Sequence, residues 1–260
     1  MNNNSKELID NFKKIAKKKW IECTSKGHGN VGLTFEKELN KKVDSNYTPD
    51  FKDIEIKTTT RFSRYPISLF SIAFDGPTNN EIVRLNNLYG SFDKDFPEKK
   101  TLIRKIRCNE LSQLKNGYYL SLIIENEKLF LCVYDINKNL IEKEAYLNLE
   151  TIKQHLLTKI KNLAIIKASK KKIDKIEYFR YYQINIYKLK DYHTFIELLK
   201  KGIIEISLIS RINKSGINAG RYYNKNLVFQ IKKENILKLF AEMYYFNADS
   251  KENSEEIQFL

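Results

Sequence analysis

The chain is poor in cysteine, proline and tryptophan, with 3, 4 and 1 in 260 residues. Cys23, Cys108 and Cys132 are odd in number, far apart and never in a CxxC pair. That argues against a disulfide framework and against a zinc site. They read as ordinary thiols of a reducing, cytoplasmic compartment. No run approaches the roughly 20 apolar residues of a membrane helix. The first residues, MNNNSKELIDNFKKIAKKK, lack the apolar stretch of a secretory signal. A membrane partner is therefore not expected. Histidine is scarce too: His28, His155 and His193 are isolated and form no HxxxH pair. Neither a GxSxG elbow nor a P-loop is present, so the sequence offers no serine-elbow hydrolase and no Walker-type nucleotidase.

Acids are outnumbered. Lys and Arg total 46 against 32 Asp and Glu, a net charge of +14. Such an excess favours a polyanionic partner, and nucleic acid is the commonest. A chain rich in lysine, asparagine and isoleucine also arises from AT-rich coding, so charge alone does not decide. The apolar content of 42% suits one large domain or two lobes sharing a core.

Helical spacing of Leu8, Ile9, Phe12, Ile15 and Ala16 predicts a helix over 5–19 with Ser5 as N-cap. A glycine loop follows at 27–32, a helix carrying Glu36 at 33–43, a turn at 46–49 and a strand at 53–59. Residues 76–100 read as mostly irregular. A hairpin is expected from 118–124 and 128–135, a helix at 149–160, and strands at 163–169 and 176–187. A helix at 191–201 ends at Gly202, and strands at 203–212 and 226–231 flank a polar loop. A last helix over 233–244 and an acidic tail complete the chain. Helices and strands mix without sustained βαβ repetition. The fold class is α/β, a mixed central sheet flanked by helices.

The stretch PDFKDIEIKTTTR, residues 49–61, carries the chemistry. On a strand Glu55 and Lys57 point one way, while Ile54 and Ile56 point the other, into a core. Asp50 precedes the strand, and a kinked approach would swing it beside Glu55. Asp53 reads as the residue that leads into the strand. Two converging carboxylates form a hard-oxygen site, and Mg²⁺ suits such a site because it keeps waters and accepts a substrate phosphate. The ion would polarise phosphorus, stabilise a leaving oxygen and acidify a water. Lys57, kept charged by its acidic neighbours, would orient that water and offset charge on the phosphate. An Asp-x4-Glu-x-Lys pattern also arises by chance on the solvated face of an edge strand in a lysine-rich chain.

Two further segments carry motif-like patterns. Gly27-His28-Gly29-Asn30-Val31-Gly32 matches GxGxxG. A dinucleotide fingerprint needs a buried strand before it and an acid at the end of the next strand. Here a basic helix precedes it and Asp50 lies before its strand, so the glycines read as a loop. Residues 159–175 hold seven lysines, among them Lys170, Lys171 and Lys172, against Asp174 alone. A solvated loop and a phosphate contact both fit that segment.

The whole of GNVGLTFEKELNKKVDSNYTPDFKDIEIKTTTR resembles the MvaI/BcnI-type restriction endonucleases, the MutH-like branch of the PD-(D/E)xK nucleases. Trp20-Ile21-Glu22, Leu69-Phe70, Arg84, Asn86, Leu88-Tyr89-Gly90 and Ser215-Gly216 extend the likeness. The resemblance implies a restriction-endonuclease-like fold with two lobes around a DNA cleft, a catalytic lobe over 1–165 and a recognition lobe over 166–250, with the acidic tail at 251–260. It implies that Asp50 and Glu55 ligate Mg²⁺, that Lys57 completes the site, and that Glu36 is a helix-borne acid beside them. Arg61 and Lys170–Lys172 would meet phosphates. Arg211, Asn213, Lys214, Arg221, Tyr223, Asn224 and Lys225 would form a target-reading loop, being residue types that read base edges. The family loop carries histidines and extra lysines where this chain has Tyr223, Lys225 and Asn218, so its target sequence does not carry over.

The expected function is that of a type II restriction endonuclease. It would act as a monomer on double-stranded DNA, hydrolyse one strand at a time and be accompanied by a protective DNA methyltransferase. A MutH-like repair nickase that needs partner proteins, and a basic DNA-binding module with a dead site, are the alternatives.

Overall fold

A computed structural model of the chain describes residues 1–23, 29–40 and 48–250. The expected loop at 27–28, the end of the helix at 41–43, the turn residues Asn46 and Tyr47 and the tail at 251–260 lie outside the described residues.

The chain divides into two compact units, each assembled from separated stretches. The first comprises Met1–Tyr65, Leu157–Lys190 and Leu237–Leu260; the second comprises Pro66–Leu156 and Asp191–Ile236. This corrects the division expected at 165/166. Residue 165 lies inside a strand, Asn162–Ile173, whose parallel partner is Ile54–Thr60, about 100 residues earlier. A boundary there would cut a sheet in half.

In chain order the first unit opens with α1 (Asn3–Lys17), β1 (Ile21–Glu22), α2 (Asn30–Glu38) and β2 (Ile54–Thr60). The second unit follows with β3 (Ile67–Ile72), α3 (Glu81–Tyr89), β4 (Ser91–Phe92), β5 (Lys100–Ile106), β6 (Ser112–Gln113), β7 (Tyr119–Glu125), β8 (Lys128–Tyr134), β9 (Leu140–Glu142) and β10 (Tyr146–Asn148). Helix α4 (Leu149–Lys159) leads back to the first unit, which gains β11 (Asn162–Ile173) and β12 (Ile176–Leu189). Then α5 (Tyr192–Lys200), β13 (Ile204–Ile212) and β14 (Tyr222–Ile231) belong to the second unit, and α6 (Ile236–Leu239) with β15 (Phe240–Asn247) ends the described chain.

The first unit's sheet has the order β1-β12-β11-β2, with β15 also on β12. The β2–β11 pair is parallel and the others are antiparallel, so this sheet is mixed, as expected. The second unit holds two antiparallel sheets, β3-β14-β13-β5-β4 and β10-β8-β7-β6 with β9 on β8. The predicted hairpin is β7–β8, turning at Asn126 and Glu127 with φ of 48° and 56°.

Strand β2 is placed by its alternation. Ile54 and Ile56 are buried with Leu8, Ile9 and Phe12 of α1, Phe35 of α2 and Ala164 and Ile166 of β11. Burying each isoleucine contributes about 1.5–3 kcal/mol, so the register that puts Ile54 and Ile56 inward leaves Glu55 and Lys57 no choice of face. Helix α1 starts earlier than read: Asn2 Oδ1 accepts from the Ser5 N–H at 2.9 Å, while Ser5 itself is buried. Gly202, at φ 65°, closes the last turn after α5, as expected of a left-handed C′ residue.

Three readings are corrected. Residues 76–100 hold α3, whose Ile82 and Leu85 are buried. Arg84 there pairs with both Glu81 and Glu142, and Tyr89 donates to Glu142; these two residues brace the second unit. The lysine-rich run extends from the last residue of α4 along β11 to the turn into β12 rather than forming a loop. The last helix stops at Leu239, and Phe240–Asn247 pairs antiparallel with β12. Ile236, Leu239, Phe240 and Met243 fit a helical period, but aromatic residues beside an unfilled strand edge favour the sheet.

Candidate active site

Why Asp50 and Glu55 meet is visible in the four residues between them. Phe51 and Ile54 exchange backbone hydrogen bonds, Phe51 N to Ile54 O at 2.9 Å and Ile54 N to Phe51 O at 2.8 Å. Lys52, at φ 55°, turns the chain back. Asp50 thereby returns alongside the outer edge of β2, where its Oδ2 accepts the Ile56 N–H at 3.1 Å. An edge N–H without a strand partner is satisfied, and a carboxylate is fixed beside Glu55.

Glu55 is 1% exposed. Its Oε1 accepts from the Lys57 ammonium. Its Oε2 is buried and makes no hydrogen bond; the Lys159 ammonium lies 3.6 Å away. Burial pushes the Glu55 carboxyl above its ordinary range, Lys57 opposes this, and the neighbouring Asp50 charge raises it further. Asp53 is drawn elsewhere: it accepts from Asn4 at 2.7 Å, Asn2 at 3.0 Å and Asn162 at 2.9 Å, tying α1 and β11 to the turn.

The donors fit a hard divalent cation. A buried carboxylate oxygen without a hydrogen bond, next to a second carboxylate, is the arrangement that an oxygen-seeking ion completes. Among the described residues no three His, Cys, Asp or Glu side chains gather as a metal cage. A carboxylate pair suits an ion that retains most of its waters.

Glu36, the expected helix-borne acid, lies on α2. A methyl group on Gly32 would lie 3.2 Å from Thr58 Oγ1 and 3.8 Å from Glu36 Oε1, so the Glu36 carboxylate sits where α2 approaches β2 at Thr58. Thr58 shares the face of Ile54 and Ile56, opposite Glu55 and Lys57. Glycine at 32 permits that close helix–strand approach.

Lys159 was the residue missed. In the sequence it is merely the first of seven lysines. It reaches Glu55 because α4 ends three residues before β11, and Asn162 of β11 is in register with Ile54. Lys159 also donates to the Thr48 carbonyl at 3.5 Å.

The expected DNA contacts are more mixed. Arg61 is exposed at the end of β2, its guanidinium 6.0 Å from the rings of Phe62 and Tyr182. Lys170 pairs with Glu177, and Lys171 lies over Trp20 at 4.4 Å; Lys172 is exposed. All belong to the first unit, with Asp50 and Glu55. Arg211, Asn213, Lys214, Arg221, Tyr223, Asn224 and Lys225 lie on the β13–β14 hairpin of the second unit. There Arg211 stacks on Tyr223 at 4.8 Å, Lys214 pairs with Asp93 and Asp95, and Asn224 accepts from Ser210 at 2.8 Å. Asn213 and Arg221 are joined through their backbones, and Arg211, Arg221 and Lys225 are exposed.

A family model described as the MvaI/BcnI restriction endonuclease family matches residues 9–240. The solved complex of restriction endonuclease MvaI with its cognate DNA is similar at 24% identity and a TM-score of 0.87, over 93% of this chain and 98% of that one. MvaI solved without DNA is similar at 22% identity and a TM-score of 0.56, over 93% and 97%. At these identities the likeness speaks to fold. No curated protein gave a significant match. Among the described residues no helix is long and apolar enough to cross a membrane.

Proposed function

The chain belongs to the MvaI/BcnI restriction endonuclease family, and from that membership we infer the reaction and the residues that perform it. It is a type II restriction endonuclease, a site-specific deoxyribonuclease. The substrate is double-stranded DNA, and the cofactor is a divalent metal, Mg²⁺ by preference.

The observation that carries the reading is the turn at 51–54, which sets Asp50 against the β2 edge beside a buried Glu55 whose Oε2 makes no hydrogen bond. Asp50 and Glu55 would hold the metal. Bound there, Mg²⁺ supplies Lewis-acid charge to the scissile phosphate and acidifies an attacking water. Lys57, fixed by Glu55 Oε1, presents its ammonium where the phosphate's negative charge grows and orients the water for in-line attack. It need not give up its proton, so positioning and charge are its tasks. Water displaces the 3′ oxygen, leaving 5′-phosphate and 3′-hydroxyl ends. The β13–β14 hairpin, with Arg211, Arg221 and Lys225 exposed, supplies the target-reading surface, and Arg61 and Lys172 contact phosphates. A monomer cutting one strand at a time and a companion methyltransferase complete the proposal.

The test is incubation of unmethylated plasmid with the protein, in Mg²⁺ and in EDTA, beside Asp50→Ala and Lys57→Ala. Discrete Mg²⁺-dependent fragments, lost in both variants, are expected. Intact plasmid from a folded protein that still shifts DNA on a gel would favour a partner-dependent nickase or a binding module.

A further inference from the structure

Glu55 is held by two ammonium groups, not one. Lys57 takes Oε1 and Lys159 lies 3.6 Å from Oε2. The two lysines reach it from opposite origins, one from β2 itself and one from the last residue of α4. With Asp50 and Glu55 negative and both lysines positive, the four charges sum to zero without any other ion. Lys159 faces the one carboxylate oxygen that makes no hydrogen bond, at a distance too long for a hydrogen bond and short enough for strong attraction. The same ammonium also reaches the Thr48 carbonyl, two residues before Asp50, at 3.5 Å.

We propose that Lys159 is an internal counter-cation for Glu55 that a divalent metal must displace, and that it thereby sets how tightly the site takes metal before DNA is bound. The inference rests on the metal-holding role given above to Asp50 and Glu55. A divalent ion arriving at Oε2 meets a like charge at once, and its binding is weakened by that repulsion. Displaced from Oε2, the ammonium needs another anion, and the DNA phosphate is the one the reaction brings. Metal and DNA therefore bind cooperatively, because each relieves the cost the other imposes; the coupling is reciprocal. Lys159 acts through Glu55 and the metal and is a positioning residue.

The experiment is calorimetric titration of Mg²⁺ into the DNA-free full chain, for wild type, Lys159→Met, Lys159→Arg and Asp50→Asn, with melting temperatures in EDTA and in Mg²⁺. Lys159→Met is expected to bind Mg²⁺ on the order of tenfold more tightly than wild type, since one unit charge is removed from a partly buried site. It should also melt lower in EDTA and recover more on adding Mg²⁺ than wild type does. Lys159→Arg should behave like wild type. Mg²⁺ binding by wild type that is lost in Asp50→Asn but equal in Lys159→Met would overturn the role of Lys159 alone. Absence of any Asp50-dependent Mg²⁺ binding in wild type and in Lys159→Met would overturn the metal site and this inference with it.

Discussion

Glu55 in the first unit and Glu205 in the second are both strand glutamates, 1% and 2% exposed, each with basic partners. Their carboxyl groups are driven in opposite directions. At Glu55 burial raises the proton affinity, Lys57 fails to cancel it, and Asp50 adds to it. At Glu205 burial also acts to raise it, but Arg107 and Lys105 prevail and the carboxyl ends below its ordinary range. Arg107 gives Glu205 two hydrogen bonds, from Nε at 3.2 Å and Nη2 at 2.6 Å. Burial is common to both. What separates the two is the second carboxylate: Asp50 stands beside Glu55.

The largest effect that would sharpen this contrast is on cleavage. Glu55→Gln keeps the size and loses the charge. It should lower plasmid cleavage by about 10²–10³-fold or more, as removal of a principal electrostatic group does, with no fall in melting temperature. Glu205→Gln should cut plasmid at the wild-type rate at permissive temperature. Equal cleavage by wild type and Glu55→Gln would erase the distinction.

On stability the order reverses. Glu205→Gln removes the charged acceptor from two guanidinium hydrogen bonds and should cost about 1–3 kcal/mol in urea melts. The lower part of that range is expected, because Arg107 is 37% exposed and rehydrates. A Glu205→Gln variant as stable as wild type would mean that the ion pair merely balances its own desolvation.

Acid titration separates the two glutamates by sign. The Glu205 carboxyl is lowered from 4.5, so its stabilisation is fully present above 4.5 and is lost as the pH falls through its folded value. The Glu55 carboxyl is raised from 4.5. Its folded form binds a proton more readily than the unfolded chain, so stability falls as the pH rises from 4.5 through the folded value. Difference curves of unfolding free energy against pH, wild type minus each Gln variant, should slope oppositely on the acid side. Parallel slopes would show that the two carboxyls share one environment.

This contrast was half legible in the sequence. Asp50, Glu55 and Lys57 could be read because a tight turn and strand alternation are local rules, and four residues suffice to return Asp50 to the β2 edge. Lys159 could not, since its place depends on a parallel pairing of β11 with a strand about 100 residues earlier. Lys170 and Lys171 looked like phosphate contacts by charge; Glu177 and Trp20, which occupy them, come together only when β1 and β11 flank β12. The β15 residues satisfied a helical period and were claimed by a sheet edge instead. In each case the missing information was a partner distant in sequence.

The smallest predicted effect compares two helix caps. Asp191, in the second unit, caps α5 by accepting from the Thr194 N–H at 2.6 Å. Asp191→Ala should cost about 1 kcal/mol and leave cleavage unchanged. Asn2 caps α1 and also donates through Nδ2 to Asp53 Oδ2 at 3.0 Å, within the turn that returns Asp50. Asn2→Ala should cost a similar or smaller amount, about 0.5–1 kcal/mol, because Asp53 keeps its bonds to Asn4 and Asn162. It should also lower cleavage a few-fold, since looser placement of a reacting group is felt in rate before it is felt in stability. Single-turnover cleavage beside urea melts measures both. If Asn2→Ala slows cleavage and Asp191→Ala does not at matched stability, the 51–54 turn transmits the α1 cap to the site. If neither slows it, Asn4 and Asn162 hold the turn without Asn2.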